Sequence, residues 1–118
     1  MSSKKEIGQI GEDAAVRYLA NLGYQILQRN WRFSHAEIDI IAKDQEILVF
    51  IEVKTRSYDY FGQPEDSIDE RKENLISDAA SQYMVLIKHD WEIRFDIISI
   101  LMDKNQKLSI NHYKDAWF

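Results

Sequence analysis

The stretch from residue 37 to residue 56, EIDIIAKDQEILVFIEVKTR, constrains the fold more than any other part of this 118-residue chain. Two apolar runs flank the polar segment 43–46, which is the pattern of a β-hairpin. Side chains alternate between the two faces of a strand, and one face of the second run ends in Glu52, Lys54 and Arg56. The other face is apolar throughout and consists of Ile47, Val49, Ile51 and Val53. We therefore expect the second strand to run from the core to the wall of a cleft.

The position of the turn decides which residues of the hairpin face each other. A connection centred between residues 44 and 45 places Asp39 across from Phe50, and Glu37 across from Glu52. On this register Glu37 and Asp39 share a face, and the opposite face carries Ile38 and Ile40. Asp39 and Glu52 are then diagonal neighbours on one side of the sheet, roughly 7 Å apart. The hairpin predicts two converging carboxylates, provided that the register is not shifted by one residue.

Helix and strand signals alternate along the rest of the chain. The capping-box spacing of Ser3 and Glu6, followed by apolar residues at helical intervals and then Gly23, predicts a first helix of about five turns. Ser67 and Glu70 have the same spacing and predict a second helix that ends near Lys88. Predicted strands cover residues 24–29, 37–42, 47–56, 93–101 and 108–113, and residues 57–64 form a connecting loop that could also act as a lid. The pattern indicates one α/β domain over residues 1–118, with a central mixed sheet flanked by helices.

Two glycines, Gly8 and Gly11, lie inside the predicted first helix. Each weakens a helix by up to ~1 kcal/mol relative to alanine, so a close approach between this helix and the sheet would explain their presence. They do not form a dinucleotide-binding loop, because no strand precedes them and their spacing differs from that motif.

Composition excludes several classes of function. The chain has no cysteine, so a disulfide framework, a thiolate metal site and a cysteine nucleophile are ruled out, and any metal must be held by oxygen or imidazole. The net charge of -5 argues against tight, sequence-independent binding of nucleic acid, because Lys and Arg supply that affinity. The first residues lack a signal-peptide pattern and the apolar runs have strand length, which predicts a cytoplasmic protein without a membrane span.

Converging carboxylates at Asp39 and Glu52 would repel each other, and a hard divalent cation would relieve the repulsion. Mg²⁺ or Mn²⁺ suits such a pair, since Mg²⁺ accepts one or two carboxylates, keeps several waters and often takes phosphate oxygens from the substrate. Lys54 follows Glu52 on the same face and could hold the scissile phosphate or the attacking water. Acids and bases that alternate on a strand more often form a solvated surface with weak ion pairs, and the spacing alone leaves that interpretation open.

Other polar and aromatic residues give weaker signals. Arg56 and Lys72 are candidate phosphate contacts, although such side chains are more often surface charge. The histidines lack the spacing of metal ligands, so we expect them at the surface or hydrogen-bonded within the fold, and we expect the tryptophans in the core or at an interface. These residues are His35, His89, His112, Trp31, Trp91 and Trp117.

The hairpin residues resemble a known nuclease signature. Asp39, followed thirteen residues later by the first residue of Glu52-Val53-Lys54, resembles the PD-(D/E)xK pattern of restriction-endonuclease-like nucleases. A longer set of motifs resembles the YraN-like family of small, largely uncharacterised bacterial proteins over nearly the whole chain. Ala36 departs from that family, which usually has glycine before Glu-Ile-Asp. The motifs are Gly8-x-x-Gly11-Glu12, Gly23-Tyr24-x-Ile26-Leu27, Asn30-Trp31-Arg32, Glu37-Ile38-Asp39-Ile40-Ile41-Ala42, Val49-Phe50-Ile51-Glu52-Val53-Lys54-Thr55-Arg56 and Arg94-Phe95-Asp96-Ile97-Ile98.

The resemblance implies a restriction-endonuclease-like core, in the order αβββαβ plus a final strand, similar to that of archaeal Holliday-junction resolvases. It places Asp39, Glu52 and Lys54 in the catalytic positions. It also places Glu12, from the first helix, close to the metal, directly or through water. The candidate metal ligands are then Asp39, Glu52 and the main chain of Val53.

The expected function is metal-dependent hydrolysis of DNA phosphodiester bonds. Branched or structured DNA is the substrate that the analogy suggests, and a homodimer would suit the cutting of two strands. The competing hypothesis is a non-catalytic nucleic-acid-binding or protein-interaction module that retains the nuclease fold, which the net charge of -5 favours. A third possibility is that the carboxylates only repel nucleic acid.

Overall fold

A computed structural model describes residues 3–59 and 70–116, and it places two helices around one five-stranded sheet. Helices α1 and α2 span Lys4–Asn21 and Glu70–Ile87, and neither has the length and apolar run that a membrane span needs. Strands β1 to β5 span Gln25–Phe33, Ala36–Asp44, Ile47–Ser57, Ile93–Met102 and Leu108–Tyr113. This order confirms the predicted αβββαβ core with a final strand. The predicted helix cap at Ser67, and residues 60–64 of the predicted lid, lie outside the described residues.

The strands lie in the sheet in their chain order, from β1 to β5. The pairs β1–β2, β2–β3 and β4–β5 are antiparallel, and the pair β3–β4 is parallel. Parallel neighbours need a crossover connection, and α2 lies on the segment that makes it. The sheet is therefore mixed, as the sequence predicts, and β3 is its central strand.

Each face of the sheet has its own hydrophobic core. Val49 and Ile51 of β3 pack into a core beneath α1, and the neighbouring residues Leu48 and Phe50 pack into a core beneath α2. Ile47 and Val53 pack against the first of these cores, so the predicted apolar face of β3 is confirmed. Because β3 has buried side chains on both faces, its first half reads as an almost continuous apolar run.

Helix α1 begins and ends as the sequence predicts. The Glu6 N–H donates to Ser3 Oγ at 3.1 Å, and the Ser3 N–H donates to Glu6 Oε1 at 3.3 Å, which completes the capping box. At the other end Gly23 has φ 93°, and the N–H groups of Gly23 and Tyr24 each donate to a carbonyl of the last turn at 3.0 Å. This Schellman ending directs the chain into β1.

The first strand is longer than predicted. We expected it to end near Arg29, whereas β1 continues to Phe33. The pairing of β1 with β2 shifts register between Ile26 and Gln28, and Asn30 has φ 52°. These two irregularities break the alternation of apolar and polar residues on which the prediction depends.

The alternation also breaks in β2. The prediction that Ile38 and Ile40 share a face is wrong, because Ile38 packs in the core beneath α2 and Ile40 in the core beneath α1. The change of face occurs at Asp39, which lies between them. A local distortion of β2 therefore coincides with a candidate site residue.

The tryptophans lie in different environments. Trp31 packs against the core beneath α2, with its ring edge-to-face with Tyr83 at a centroid distance of 5.2 Å, which confirms a core position. Trp91 is 49% exposed, and its Nε1–H donates to the Glu46 carbonyl at 2.7 Å. Trp117 lies outside the described residues.

A buried polar network joins β4 to β5. Asp96 is fully buried, and Arg94 donates to both of its carboxylate oxygens at 2.8 and 2.9 Å. His112 Nε2 lies 2.7 Å from Asp96 Oδ2, and its Nδ1 lies 3.1 Å from the Tyr18 hydroxyl of α1. Burial alone would raise the pKa of Asp96, but the hydrogen bonds from His112 and Arg94 hold it at about 2. His112 is thus hydrogen-bonded within the fold, as is His89, whose Nε2 lies 2.9 Å from the Glu92 carbonyl.

Helix α1 crosses β3 in close contact at Gly11. A Cβ atom built on Gly11 would lie 1.9 Å from Thr55 Oγ1, whereas one built on Gly8 would have no atom within 4 Å. The predicted close approach is therefore confirmed for Gly11 and wrong for Gly8. Thr55 follows Lys54, so this contact fixes α1 against the charged end of β3.

We expect Gly11→Ala to lower the free energy of unfolding by about 1–3 kcal/mol, because the added methyl group overpacks against Thr55. Gly8→Ala is the matched control and should raise stability by up to ~1 kcal/mol through helix propensity alone. Urea denaturation of both variants measures the difference. Equal stabilities of the two variants would contradict the contact.

We expect His112→Ala to lower the free energy of unfolding by about 2–4 kcal/mol, because it removes a partner from the buried Asp96 carboxylate. The variant His112→Gln retains an N–H donor and should recover part of the lost stability. His35→Ala is the control, since His35 is exposed and its loss should change stability by less than ~0.5 kcal/mol. Thermal denaturation of the three variants tests this; an unchanged His112→Ala would show that the network adds no stability.

Candidate active site

The hairpin of β2 and β3 closes one residue later than predicted. The two strands pair from Asp44 with Ile47 to Ile40 with Ile51, around the two-residue turn 45–46. The predicted register is therefore wrong, since Phe50 pairs with Ile41 and not with Asp39. Moving the centre of the turn by one residue changes every cross-strand partner by two positions. Because strand side chains alternate with a period of two, this change keeps Asp39 and Glu52 on the same side of the sheet.

The two strands separate at the end of this pairing. The described β2–β3 pairs stop at Ile40 and Ile51, while β3 continues to pair with β4 as far as Ser57. The Val53 N–H donates to Asp39 Oδ2 at 2.8 Å. The carboxylate of Asp39 thus takes the place of the main-chain acceptor that a continuing strand would supply, and it lies at the base of the opening.

Asp39 is a strongly perturbed acid. Burial, and next the negative charge of Glu52, raise the pKa of Asp39 from 3.8 to about 7, against the hydrogen bond from Val53, which lowers it. The charges of Glu12 and Glu37 raise it further. Asp39 and Glu52 line the same cleft, and the effect of the Glu52 charge on the pKa of Asp39 is the repulsion that a cation would relieve.

Glu52 is the buried partner in this pair, with 10% of its side chain exposed. Lys72, in the first turn of α2, donates from Nζ to Glu52 Oε1 at 2.7 Å. The Lys72 side chain is 48% exposed. The structure therefore brings Lys72 to the acid pair, where the sequence predicts only a contact to phosphate.

A cleft of about 260 Å³ opens over the acid pair. Because a water in the liquid occupies about 30 Å³, the cleft has room for a hydrated ion. A larger hollow of about 430 Å³ near the end of α2, bordered by Met84, Val85 and Lys88, lies away from both acids. The described residues that line the cleft are His35, Ala36, Glu37, Asp39, Glu52, Lys72, Leu75 and Ile76.

The donor set of the cleft fits a hydrated divalent ion. Over residues 3–59 and 70–116, no three Asp, Glu or His side chains come together as a metal site. The candidate donors stay the predicted ones: the carboxylates of Asp39 and Glu52, which line the cleft, and the main-chain oxygen of Val53, which is not among the described residues that line it. Mg²⁺ commonly binds through one or two carboxylates with water and phosphate oxygens, so the pair suffices if Lys72 yields one oxygen of Glu52.

Two predicted catalytic residues lie beside the cleft and are not among the described residues that line it. Lys54 is half-buried, two residues after Glu52 on β3. Glu12 is held by β1, since its Oε1 accepts from Arg29 Nη2 at 3.1 Å and from Asn30 Nδ2 at 2.9 Å. Glu12 is near enough for its charge to act on Asp39, but its role toward a metal stays a prediction.

The remaining predicted residues divide between the site and the sheet. Glu37 lines the cleft, but its predicted position across from Glu52 is wrong, because the pairing of β2 with β3 ends at Ile40 and Ile51. On its other side Glu37 pairs with Arg32 of β1. Arg32 Nη2 lies 2.9 Å from Glu37 Oε2. Arg56 is half-buried, with Nη1 donating to the Thr55 carbonyl at 3.0 Å, and it lies two residues beyond Lys54 on the same strand.

Sequence reasoning missed three contributors to the site. Arg29 and Asn30 hold Glu12, and His35 lines the cleft from the turn between β1 and β2. The motif Asn30-Trp31-Arg32 was a signal for Asn30, and the left-handed backbone of Asn30 explains a use for asparagine there. No pattern in the sequence points to Arg29 or His35.

The fold and the cleft together define a class. The chain is an α/β protein with a five-stranded mixed sheet and two helices, and it has a pair of acids where its central strand loses one neighbour. This arrangement is consistent with a restriction-endonuclease-like core.

Comparison with known proteins identifies the family. Residues 11–100 match the uncharacterised protein family UPF0102, and the chain belongs to that family. A UPF0102 protein of Flavobacterium psychrophilum is 42% identical over 118 residues, which cover 100% of this chain and 98% of the relative. One from Bacteroides thetaiotaomicron is 44% identical over 100% of this chain and 97% of the relative, and one from Alkaliphilus oremlandii is 44% identical over 96% and 98%. Membership confirms the resemblance to the YraN-like family.

The raised pKa of Asp39 predicts a stability that falls with pH. Between pH 3.8 and about 7 the folded protein retains a proton that the unfolded chain releases, so the free energy of unfolding decreases as the pH rises through this interval. Asp39→Asn keeps an acceptor for the Val53 N–H and carries no charge. At pH 8 this variant should be more stable than wild type by up to ~4 kcal/mol, and the difference should vanish near pH 4.

Urea denaturation across this pH range measures the effect in the absence of divalent metal. Asp78→Asn is the matched control, because Asp78 is an exposed acid of α2, and its difference from wild type should not vary with pH. A carbon-detected NMR titration of the Asp39 carboxyl group reads the same pKa directly. A midpoint near 4 would contradict the described electrostatics of the cleft.

Proposed function

We propose that this protein is a metal-dependent endonuclease that hydrolyses phosphodiester bonds of DNA. The supporting observation is that Asp39 and Glu52 line one cleft at the point where β3 loses its pairing with β2. Burial and the charge of Glu52 raise the pKa of Asp39 there to about 7. Structural carboxylates gain stability from partners that lower their pKa, as Asp96 does. A perturbed acid beside a second acid, at a surface opening, is instead typical of a functional site.

The residues of the chain have separate roles in this proposal. Asp39, Glu52 and the Val53 carbonyl would hold Mg²⁺ or Mn²⁺. When bound, such an ion lowers the pKa of a coordinated water and polarises the phosphoryl oxygens. Lys54 donates to the scissile phosphate or orients the attacking water, and its charge stabilises the negative charge that develops in the transition state.

Glu12 and Lys72 support these groups. Glu12, fixed by Arg29 and Asn30, adds negative charge near Asp39 and favours a cation in the cleft. Lys72 neutralises Glu52 before substrate binds, and its exposed ammonium group can exchange Glu52 for a phosphate oxygen. Arg56 would contact the nucleic-acid backbone further along β3.

The substrate and the assembly are proposed by analogy with the fold. Branched or otherwise structured DNA in the cytoplasm is the expected target. A homodimer would place two clefts on two strands of one substrate.

A non-catalytic interaction module is the second candidate, and one contact favours it. Lys72 lies 2.7 Å from Glu52, where it occupies an oxygen that a metal would need. The net charge of -5 also disfavours strong binding to phosphate. On this proposal the charged end of β3 binds a partner without reaction, and replacing Asp39 leaves that binding unchanged.

The test is cleavage of junction, flap and duplex DNAs in Mg²⁺ or Mn²⁺. We expect Asp39→Asn and Glu52→Gln to reduce the rate by at least ~10²-fold, since each removes a metal ligand. Lys54→Met should reduce it ~10²–10³-fold, and Lys54→Arg should reduce it less because a cation remains. Asp78→Asn, purified in parallel, is the control for contaminating nucleases and should match wild type.

Calorimetric titration with Mn²⁺ separates metal binding from chemistry. Wild type and Lys54→Met should bind the ion, whereas Asp39→Asn and Glu52→Gln should not. A wild type that binds no Mn²⁺ and cleaves none of the DNAs above the Asp39→Asn background would overturn the nuclease and support the interaction module.

A further inference from the structure

Among the described residues, no helix covers the β4–β5 end of the sheet on the face that α2 occupies. Side chains of β4 alternate, so that Ile98 and Ile100 enter the core beneath α1 while Ser99 and Leu101 point to the other face. On β5, Ile110 packs toward the same core beneath α1, and Ser109, Asn111 and Tyr113 therefore point away from it.

Helix α2 lies mainly over β1 and β2, and the core beneath it reaches β4 at Phe95 and Ile97 but includes neither Ser99 and Leu101 nor the residues of β5. Tyr113 is 53% exposed and Leu101 is 49% exposed, and Ser109 and Asn111 are exposed as well. Within residues 3–59 and 70–116, this part of the sheet has no helix over it. We call it the open face, and it consists of Lys54, Arg56, Ser99, Leu101, Ser109, Asn111 and Tyr113.

The strand register connects the open face to the candidate active site. Glu52 pairs with Ile97, which pairs with Tyr113, so these three residues form one row across β3, β4 and β5. Lys54, Ser99 and Asn111 form the next row. Neighbouring strands lie about 4.8 Å apart, so Tyr113 lies on the order of 10 Å from Glu52 along its row.

The chemistry of the open face suits a nucleic-acid strand. Lys54 and Arg56 are cations, and the Ser99, Ser109 and Asn111 side chains can hydrogen-bond to phosphate and sugar oxygens. Tyr113 offers an exposed ring, on which a base can stack if it is not paired within a duplex. The rows place that ring one or two nucleotides away from the candidate metal ligands.

We infer that the open face binds a single-stranded segment of the substrate, with one unpaired base stacked on Tyr113 and the adjacent backbone running over β4 toward Lys54. This inference rests on the proposed nuclease function and specifies its substrate class. The two cations of the face, in a chain of net charge -5, are too few to hold a duplex through its phosphates, whereas stacking adds affinity that does not depend on charge.

The polar floor of the face also disfavours a second copy of this chain as the occupant. Stable dimer interfaces have an apolar centre depleted of charged residues. Here two cations, two hydroxyls and an amide surround one aromatic ring and the single aliphatic side chain of Leu101.

The test measures binding separately from cleavage. Fluorescence anisotropy records binding of a labelled oligothymidine of about 12 nucleotides, and of a blunt duplex of the same length, to Asp39→Asn in EDTA, so that no probe is consumed. The same background carries Tyr113→Ala, Tyr113→Phe or, as a control, Trp91→Ala, which removes an equally exposed ring outside the open face.

We expect the oligothymidine to bind at least ~10-fold more tightly than the duplex. Tyr113→Ala should weaken its binding about 5- to 100-fold, whereas Tyr113→Phe and Trp91→Ala should stay within about twofold. Because only two cations contribute, the logarithm of the binding constant should fall with the logarithm of salt concentration with a slope between about -1 and -2.

Three results would overturn the inference: equal binding of both probes, unchanged binding by Tyr113→Ala, or a dimer of the wild type that Tyr113→Ala converts to monomer. Rapid cleavage of blunt duplex by the Tyr113→Ala variant, with Asp39 restored, would contradict the binding of a single strand by the open face. It would not contradict the proposed nuclease activity. Tyr113-dependent binding without cleavage by wild type would reject the nuclease alone.

Discussion

The candidate site depends on the point at which β3 loses its antiparallel partner. The pairing of β2 with β3 stops at Ile40 and Ile51, while β4 stays paired with β3 for six more residues of β3. A main-chain N–H exposed by that separation needs an acceptor, and Asp39 provides it for Val53. Because this acceptor is a carboxylate and not a main-chain carbonyl, the group that completes the hydrogen bonding of Val53 also places a charge beside Glu52. The acid pair therefore arises from the sheet itself, and rigid strands position it.

The surroundings of Asp96 and Asp39 shift the pKa values of these two acids in opposite directions. Asp96 receives Arg94 and His112, and its pKa falls to about 2, so its charge contributes to the stability of the core beneath α1. Asp39 receives one main-chain N–H and faces a second acid, and its pKa rises to about 7. Near neutral pH the chain thus bears an energetic cost at Asp39 that it avoids at Asp96, and such a cost is typical of residues kept for function.

Periodicity was enough to predict the element order, the mixed sheet and the meeting of Asp39 with Glu52, because burial of β3 on both faces leaves a clear pattern. Periodicity could not predict the register between β2 and β3. The connecting segment Lys43-Asp44-Gln45-Glu46 contains no glycine or Asn-Gly pair that would fix the position of the turn. The partner of Glu37 depends on the pairing of β1 with β2, which a bulge obscures. Gly8 and Gly11 look alike in sequence, and only the path of α1 over Thr55 separates them.

The network around Asp96 also bears on the order in which the fold can assemble. His112 belongs to β5, so Asp96 lacks this partner until β5 joins the sheet. A chain that has formed only β1 to β4 would bury an acid with part of its compensation missing, which is unfavourable. Closure of the core beneath α1 and docking of β5 are therefore coupled. Since the same core packs α1 against β3, the edge strand β5 contributes to holding the strand that carries Glu52.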